Sequence, residues 1–142
     1  MNLHLSGETI PQVLLDVFSA LTDHSRLLIG GVIYSTESQA VTLPIIRFPL
    51  RKLRPILGNL FDQGSPIESV VTLRNVTRIA VEDLTDNSQI PEITILFGIT
   101  FKRGKVVVSS AEECNGRPCY LLETDISQID LSLIDRAIVV RD

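Results

Sequence analysis

The chain lacks a long apolar run. Its longest candidate, residues 27–34, contains Gly30 and Gly31 and is far shorter than the roughly 20 residues that a membrane-spanning helix needs. The N-terminal residues have neither the basic start nor the small-residue cleavage site of a secretory leader. We therefore expect no membrane association and a cytoplasmic location.

Metal-ligating side chains are scarce, with two histidines and two cysteines among 142 residues. A metal site takes about four ligands, and neither His4 nor His24 lies near the cysteines in sequence. The chain also lacks a glycine-rich phosphate loop, a nucleophile elbow and a zinc-protease helix. The sequence therefore predicts no metal, no cofactor and no catalytic residue, and it favours a protein that is not an enzyme.

The chain is rich in aliphatic residues. Hydrophobic residues make up 44% of the chain and charged residues 21%, which indicates either a strongly buried sheet or an apolar patch that a partner covers. The length fits a single domain over residues 1–142. Residues 112–142 hold seven acidic and three basic side chains, which accounts for the net charge of −4.

A hairpin is the clearest strand signal. Apolar residues alternate through one segment at Ile93, Ile95, Phe97, Ile99 and Phe101. Arg103-Gly104 then predicts a two-residue turn that sets Phe101 opposite Val106 and Ile99 opposite Val108. One face of this hairpin is apolar, so we expect it to be covered.

Three further segments are typical of strands. Residues 27–34 form an apolar run in which the glycine pair indicates a bulge or a close backbone approach. Residues 41–45 alternate, and Pro44 indicates a bulge or a position near a sheet edge. Residues 69–82 read as one half-buried strand, with Val71, Leu73, Ile79 and Val81 inside and a bend near Asn75.

Helical spacing predicts a helix over residues 10–22, with a capping box formed by Thr9 and Gln12. A second helix is expected over residues 55–61. Residues 130–140 allow either a helix carrying Leu131, Ile134 and Ile138 or a last strand. Together these patterns predict an α+β domain: a mainly antiparallel sheet of about five to seven strands with two or three helices packed on one face.

Cys114 and Cys119 flank the turn dipeptide Asn115-Gly116. Their spacing lets the thiols meet across a hairpin, as a disulfide or a redox pair. Reduced thiols at a loop are the alternative that is usual in the cytosol, and a metal site would need more ligands.

Two basic clusters are the candidate binding residues: Arg47, Arg51, Lys52 and Arg54, and at the hairpin turn Lys102, Arg103 and Lys105. Such clusters can hold a phosphate backbone, or they can simply keep an aliphatic surface soluble and block edge pairing.

High aliphatic content without reactive groups favours a non-catalytic interaction module or complex subunit, with a protein partner or a second copy of itself. The alternative is a nucleic-acid-binding regulator that uses the basic clusters. A third reading is a small-molecule enzyme or sensor with a pocket at Gly30-Gly31, Tyr34 and the acids near Glu82.

Overall fold

The computed structural model describes residues 2–48, 66–84 and 93–139. Strands hold 61% of these residues and helical turns 12%. In chain order the elements are β1 (Asn2–Gly7), α1 (Gln12–Thr22), β2 (Arg26–Leu28), a 3-10 turn (Ile29–Gly31), β3 (Ile33–Ser35), β4 (Ala40–Arg47), β5 (Ile67–Leu73), β6 (Val76–Asp83), β7 (Ile93–Ile95), β8 (Thr100–Lys102), β9 (Lys105–Ser109), β10 (Glu113–Cys114), β11 (Arg117–Pro118), β12 (Tyr120–Ile126) and β13 (Ile129–Ile138).

The strands form two main antiparallel sheets. The large sheet has seven strands in the order β1-β13-β5-β4-β2-β7, with β3 also paired to β4, and the small sheet has the order β6-β12-β9-β8. A separate two-stranded ribbon joins β10 to β11. Buried side chains of both sheets and of α1 form one apolar cluster, which includes Phe18, Leu43, Val71, Leu122 and Leu133. The two sheets are therefore layers around a shared core.

The α+β prediction is wrong, because α1 is the one α-helix among the described residues and the rest is mostly antiparallel sheet. Of the two alternatives left open for residues 130–140, the structure has the strand: β13 pairs with β1 on one side and β5 on the other. Leu131 and Leu133 reach the core at period two, while Ile134 and Ile138 are exposed. The helix expected over residues 55–61 lies outside the described residues.

Helix α1 confirms the prediction for residues 10–22, although its first turn differs. Pro11 is the N-cap and no side chain caps it, so the capping box of Thr9 and Gln12 is wrong. The helix buries one face in the core, where the ring of Phe18 meets that of Phe101 edge to face at 5.8 Å. At its other end, the Thr22 hydroxyl accepts a hydrogen bond from the Ile99 N–H at 3.0 Å.

The chain crosses from the large sheet to the small sheet near Asn75. The predicted single strand over residues 69–82 is therefore two strands: β5 in the large sheet and β6 in the small one. Asn75 between them has a φ of 59°, a left-handed conformation that asparagine tolerates better than most residues. The bend expected there is confirmed, and it is a change of sheet.

A second crossing splits the strand predicted from Ile93 to Phe101. Strand β7 pairs with β2 in the large sheet, and β8 pairs with β9 in the small sheet. Leu96 and Ile99 are buried between them and Phe97 is 55% exposed, so placing Phe97 on the covered face was wrong. The Arg103-Gly104 turn, with Phe101 opposite Val106, is confirmed.

The predicted close approach at the glycine pair is confirmed. A Cβ on Gly31 would lie 2.7 Å from Cγ of Pro44. Pro44 faces Val70 of β5 on one side, and on the other side it falls between the residues that pair with β3 and those that pair with β2. The missing N–H of Pro44 therefore sits where the ladder is already interrupted.

Candidate functional site

The basic cluster at the β8–β9 turn is exposed. Lys102, Arg103 and Lys105 all reach solvent, and Lys105 lies 3.8 Å from the carboxylate of Asp125 in a largely exposed ion pair that contributes little to stability. Beside the tip opens a cavity of about 410 Å³, whose lining includes Lys102, Lys105, Phe101, Ile126 and Glu8. The tip thus presents three cations next to a partly apolar hollow.

The first basic cluster is different, because Arg47 is fully buried at the end of β4. Its Nε donates to Oδ1 of Asp135 at 2.9 Å, and its Nη2 donates to the other carboxylate oxygen. Arg47 therefore lies away from the surface on which the sequence placed it. Arg51, Lys52 and Arg54 lie outside the described residues.

Asp135 lies on β13, two strands from Arg47. The hydroxyl of Ser69, on β5 between them, donates to Asp135 Oδ1 at 2.7 Å. Burial raises the pKa of the Asp135 carboxyl, but the hydrogen bonds from Arg47 and Ser69, with the charge of Arg47, outweigh burial and leave the pKa below its usual value. These contacts compensate for the loss of water around the two charges, so the pair is structural.

Cys114 and Cys119 form a disulfide with a Cα–Cα distance of 5.0 Å. The sequence left open a disulfide or redox pair, two reduced thiols, or a metal site. The structure contains the disulfide. The bond closes the β10–β11 ribbon across Asn115 and Gly116, which have φ angles of 55° and 81°. Cys119 is buried, so the disulfide attaches this ribbon to the core.

The third hypothesis places Gly30 and Gly31 in a pocket, and in the structure Gly31 lies directly against the ring of Pro44. Tyr34 lies on β3 of the large sheet, whereas Glu82 lies on β6 of the small sheet. In the described part of the chain, no group of three or more His, Cys, Asp or Glu side chains is placed to hold a metal ion.

Strand β6 is a long, exposed edge of the small sheet. It is the end strand of the small sheet, and β12 is its one sheet partner among the described residues. It is eight residues long and exposed along most of its length. Val81 lies opposite the buried Leu122 of β12, on the core side of the sheet, and is still 50% exposed. We call residues 76–83 the β6 edge.

Charged residues flank the middle of the β6 edge. Arg78 and Glu82 are exposed and lie two residues to either side of Ala80, on the sheet face opposite to Val81. Glu82 accepts a long, exposed hydrogen bond from Arg117 at 3.4 Å. On this face the edge therefore offers one cation and one anion at symmetric positions about Ala80, while the second acid of the edge, Asp83, falls on the face of Val81.

Sequence reasoning missed this surface. The alternation of residues 69–82 correctly places Arg78 and Glu82 on a wet face, but it contains nothing about which strands are neighbours. A strand becomes an edge through strand order, which depends on pairing with β12 about 40 residues later. The sequence did contain one local signal of this surface: the opposite charges of Arg78 and Glu82 are spaced symmetrically about Ala80.

No helix within the described ranges has the length and apolar character needed to cross a bilayer. Comparison of the chain with protein-family models, with curated proteins and with solved structures gives no match.

Proposed function

We propose that this chain is a non-catalytic interaction module that associates with a second copy of itself. The observation that carries the proposal is the β6 edge, a long and exposed strand in which Ile79 and Val81 direct their backbone groups away from β12 and pair with no other strand in the described ranges. Such an edge is a template for another strand. Partly exposed Val81 adds apolar area at the same place.

The other sheet edges support this assignment by contrast. Strands β7, β8 and β3 have three residues each, and β1 has six. Short edge strands are one means by which proteins prevent unwanted pairing. Strand β6, with eight residues, is the longest edge among the described residues and so the best suited to bind another strand.

The test is the mass of the purified chain in solution. We expect sedimentation or light scattering to show a mass that rises above the 15.7 kDa of one chain between about 1 and about 100 µM. The association should be in roughly the micromolar range, because a strand-edge contact is small. A mass of one chain throughout this range would overturn the proposal.

A cytoplasmic location belongs to the same proposal. Fractionation of cells that make the protein, with one cytosolic and one secreted marker protein followed beside it, tests this location. Recovery of the chain with the secreted marker would overturn it.

Nucleic-acid binding is the second candidate, favoured by the three exposed cations at the β8–β9 turn. It predicts that the chain binds RNA or DNA with an affinity that falls steeply as salt is added. The double variants Lys102→Ala/Lys105→Ala and Arg51→Ala/Lys52→Ala should each bind more weakly than the wild type. Arg47 is buried and would contribute no phosphate contact. Absence of binding at low salt would exclude this function.

A further inference from the structure

We infer that two copies of the chain associate by antiparallel pairing of their β6 edges, with Ala80 of one copy opposite Ala80 of the other. This inference rests on the self-association proposed above and adds the surface and the register. The occupant of the edge is thus a second copy of this chain.

Backbone hydrogen bonds show which residues of β6 face outward. The N–H of Leu84 donates to the Cys119 carbonyl at 2.8 Å, and the Tyr120 carbonyl accepts from Ser110 on the opposite side of β12. Residues of an antiparallel strand point their backbone groups alternately to the two sides. Arg78, Ala80 and Glu82 therefore hydrogen-bond to β12, while Ile79 and Val81 direct their N–H and C=O groups to the open edge.

A two-fold axis at Ala80 uses these outward groups. Ile79 of each copy then lies opposite Val81 of the other, and the two residues exchange N–H···O bonds in both directions. The two-fold repeats this pair, so four backbone hydrogen bonds form at the centre of the interface. The two four-stranded small sheets become one continuous sheet.

The charges select this register. With Ala80 at the centre, Arg78 of each copy lies opposite Glu82 of the other, and such opposite-charge pairs stabilise antiparallel strands. A centre at Arg78 or at Glu82 would place like charges opposite each other. Centres at Ile79 or Val81 would leave both charges opposite other residues, so Ala80 is the one centre that pairs them.

The existing contact of Glu82 is compatible with this arrangement. Its partner Arg117 binds one carboxylate oxygen at 3.4 Å, and both side chains are well exposed. The second oxygen remains available for Arg78 of the other copy.

The pairing also covers apolar area on the core side of the sheet. Val81 is 50% exposed there and would gain Ile79 of the second copy as a neighbour.

Charge reversal gives the experiment. Arg78→Glu alone and Glu82→Arg alone each set like charges opposite each other twice, so each variant should associate at least about tenfold more weakly than the wild type. Arg78→Glu/Glu82→Arg in one chain should restore association. Mixing the two single variants should also restore it, because each then faces a complementary copy.

The matched control is Arg103→Glu, the same charge change at the exposed β8–β9 turn, which should associate like the wild type. Circular dichroism should show that all variants keep their strand content. If the wild type associates and Arg78→Glu does not differ from Arg103→Glu, or if mixing fails to restore association, this inference is overturned while self-association stands. A wild type that remains one chain overturns self-association itself.

Discussion

Arg47 donates to the carboxylate of Asp135 at 2.9 Å across the intervening strand β5, although the two residues are 88 positions apart. Ser69 on β5 donates to the same carboxylate, so three adjacent strands of the large sheet contribute to one polar contact. Arg47 is completely buried. The contact therefore specifies how β4, β5 and β13 align, since a shifted register would leave a buried charge without its partner.

Replacing Asp135 by Asn should destabilise the fold by about 3–5 kcal/mol, because the amide removes the carboxylate charge that faces the buried guanidinium of Arg47. Urea unfolding of the variant and the wild type measures the difference. The control is Asp125→Asn, which breaks the exposed pair with Lys105 and should cost less than about 1 kcal/mol. Equal effects of the two substitutions would contradict a structural role for the buried pair.

The same carboxylate should make stability depend on acid pH. Because the folded-state pKa of Asp135 lies below its usual value, its contribution is present above the unfolded pKa of about 3.9 and disappears as the pH falls through the folded pKa. The stability gap between the wild type and Asp135→Asn should therefore be largest above pH of about 4 and shrink below it. An unchanged gap across the acid range would contradict the assignment.

Tyr120 should produce the opposite behaviour at alkaline pH. Burial, with a smaller effect from the negative charge of Asp83, raises its pKa to about 12. A raised pKa stabilises the fold below the unfolded pKa of about 10, and this contribution is lost as the pH rises from there to the folded value. Tyr120→Phe should therefore lose less stability over this range than the wild type when urea unfolding is measured at each pH, and an equal loss in the two proteins would contradict this prediction.

The disulfide should contribute about 2 kcal/mol, since it closes a short loop in the unfolded chain. Cys114→Ser/Cys119→Ser should therefore unfold at lower urea than the oxidised wild type, and a reductant should lower the stability of the wild type alone. Alkylation of the unreduced, denatured protein should find no free thiol. Two alkylated cysteines there would show that the bond does not form.

Local patterns predicted the elements that depend on near neighbours. The spacing of Val17, Phe18 and Leu21 gave α1, the Arg103-Gly104 dipeptide gave the turn between β8 and β9, and alternation gave β4. In each case the determining residues lie within about one turn or one strand of each other.

The remainder depends on distant pairing. Leu131, Ile134 and Ile138 fit a helix by spacing, yet β1 and β5 hold residues 129–138 as a strand. Arg47 resembles a surface cation until Asp135 is known to lie beside it. The role of β6 as an edge likewise follows from strand order alone, so the candidate interface could not be read from the sequence.

An engineered cysteine at position 80 tests the proposed self-association at its centre. In the inferred register Ala80 lies opposite Ala80 of the second copy in a non-hydrogen-bonded pair, with a Cα–Cα distance of roughly 4.5 Å that suits a disulfide. Both native cysteines are already bonded to each other. Mild oxidation of Ala80→Cys should therefore give a covalent dimer rapidly, and Arg103→Cys should not; equal cross-linking of the two variants would contradict the account.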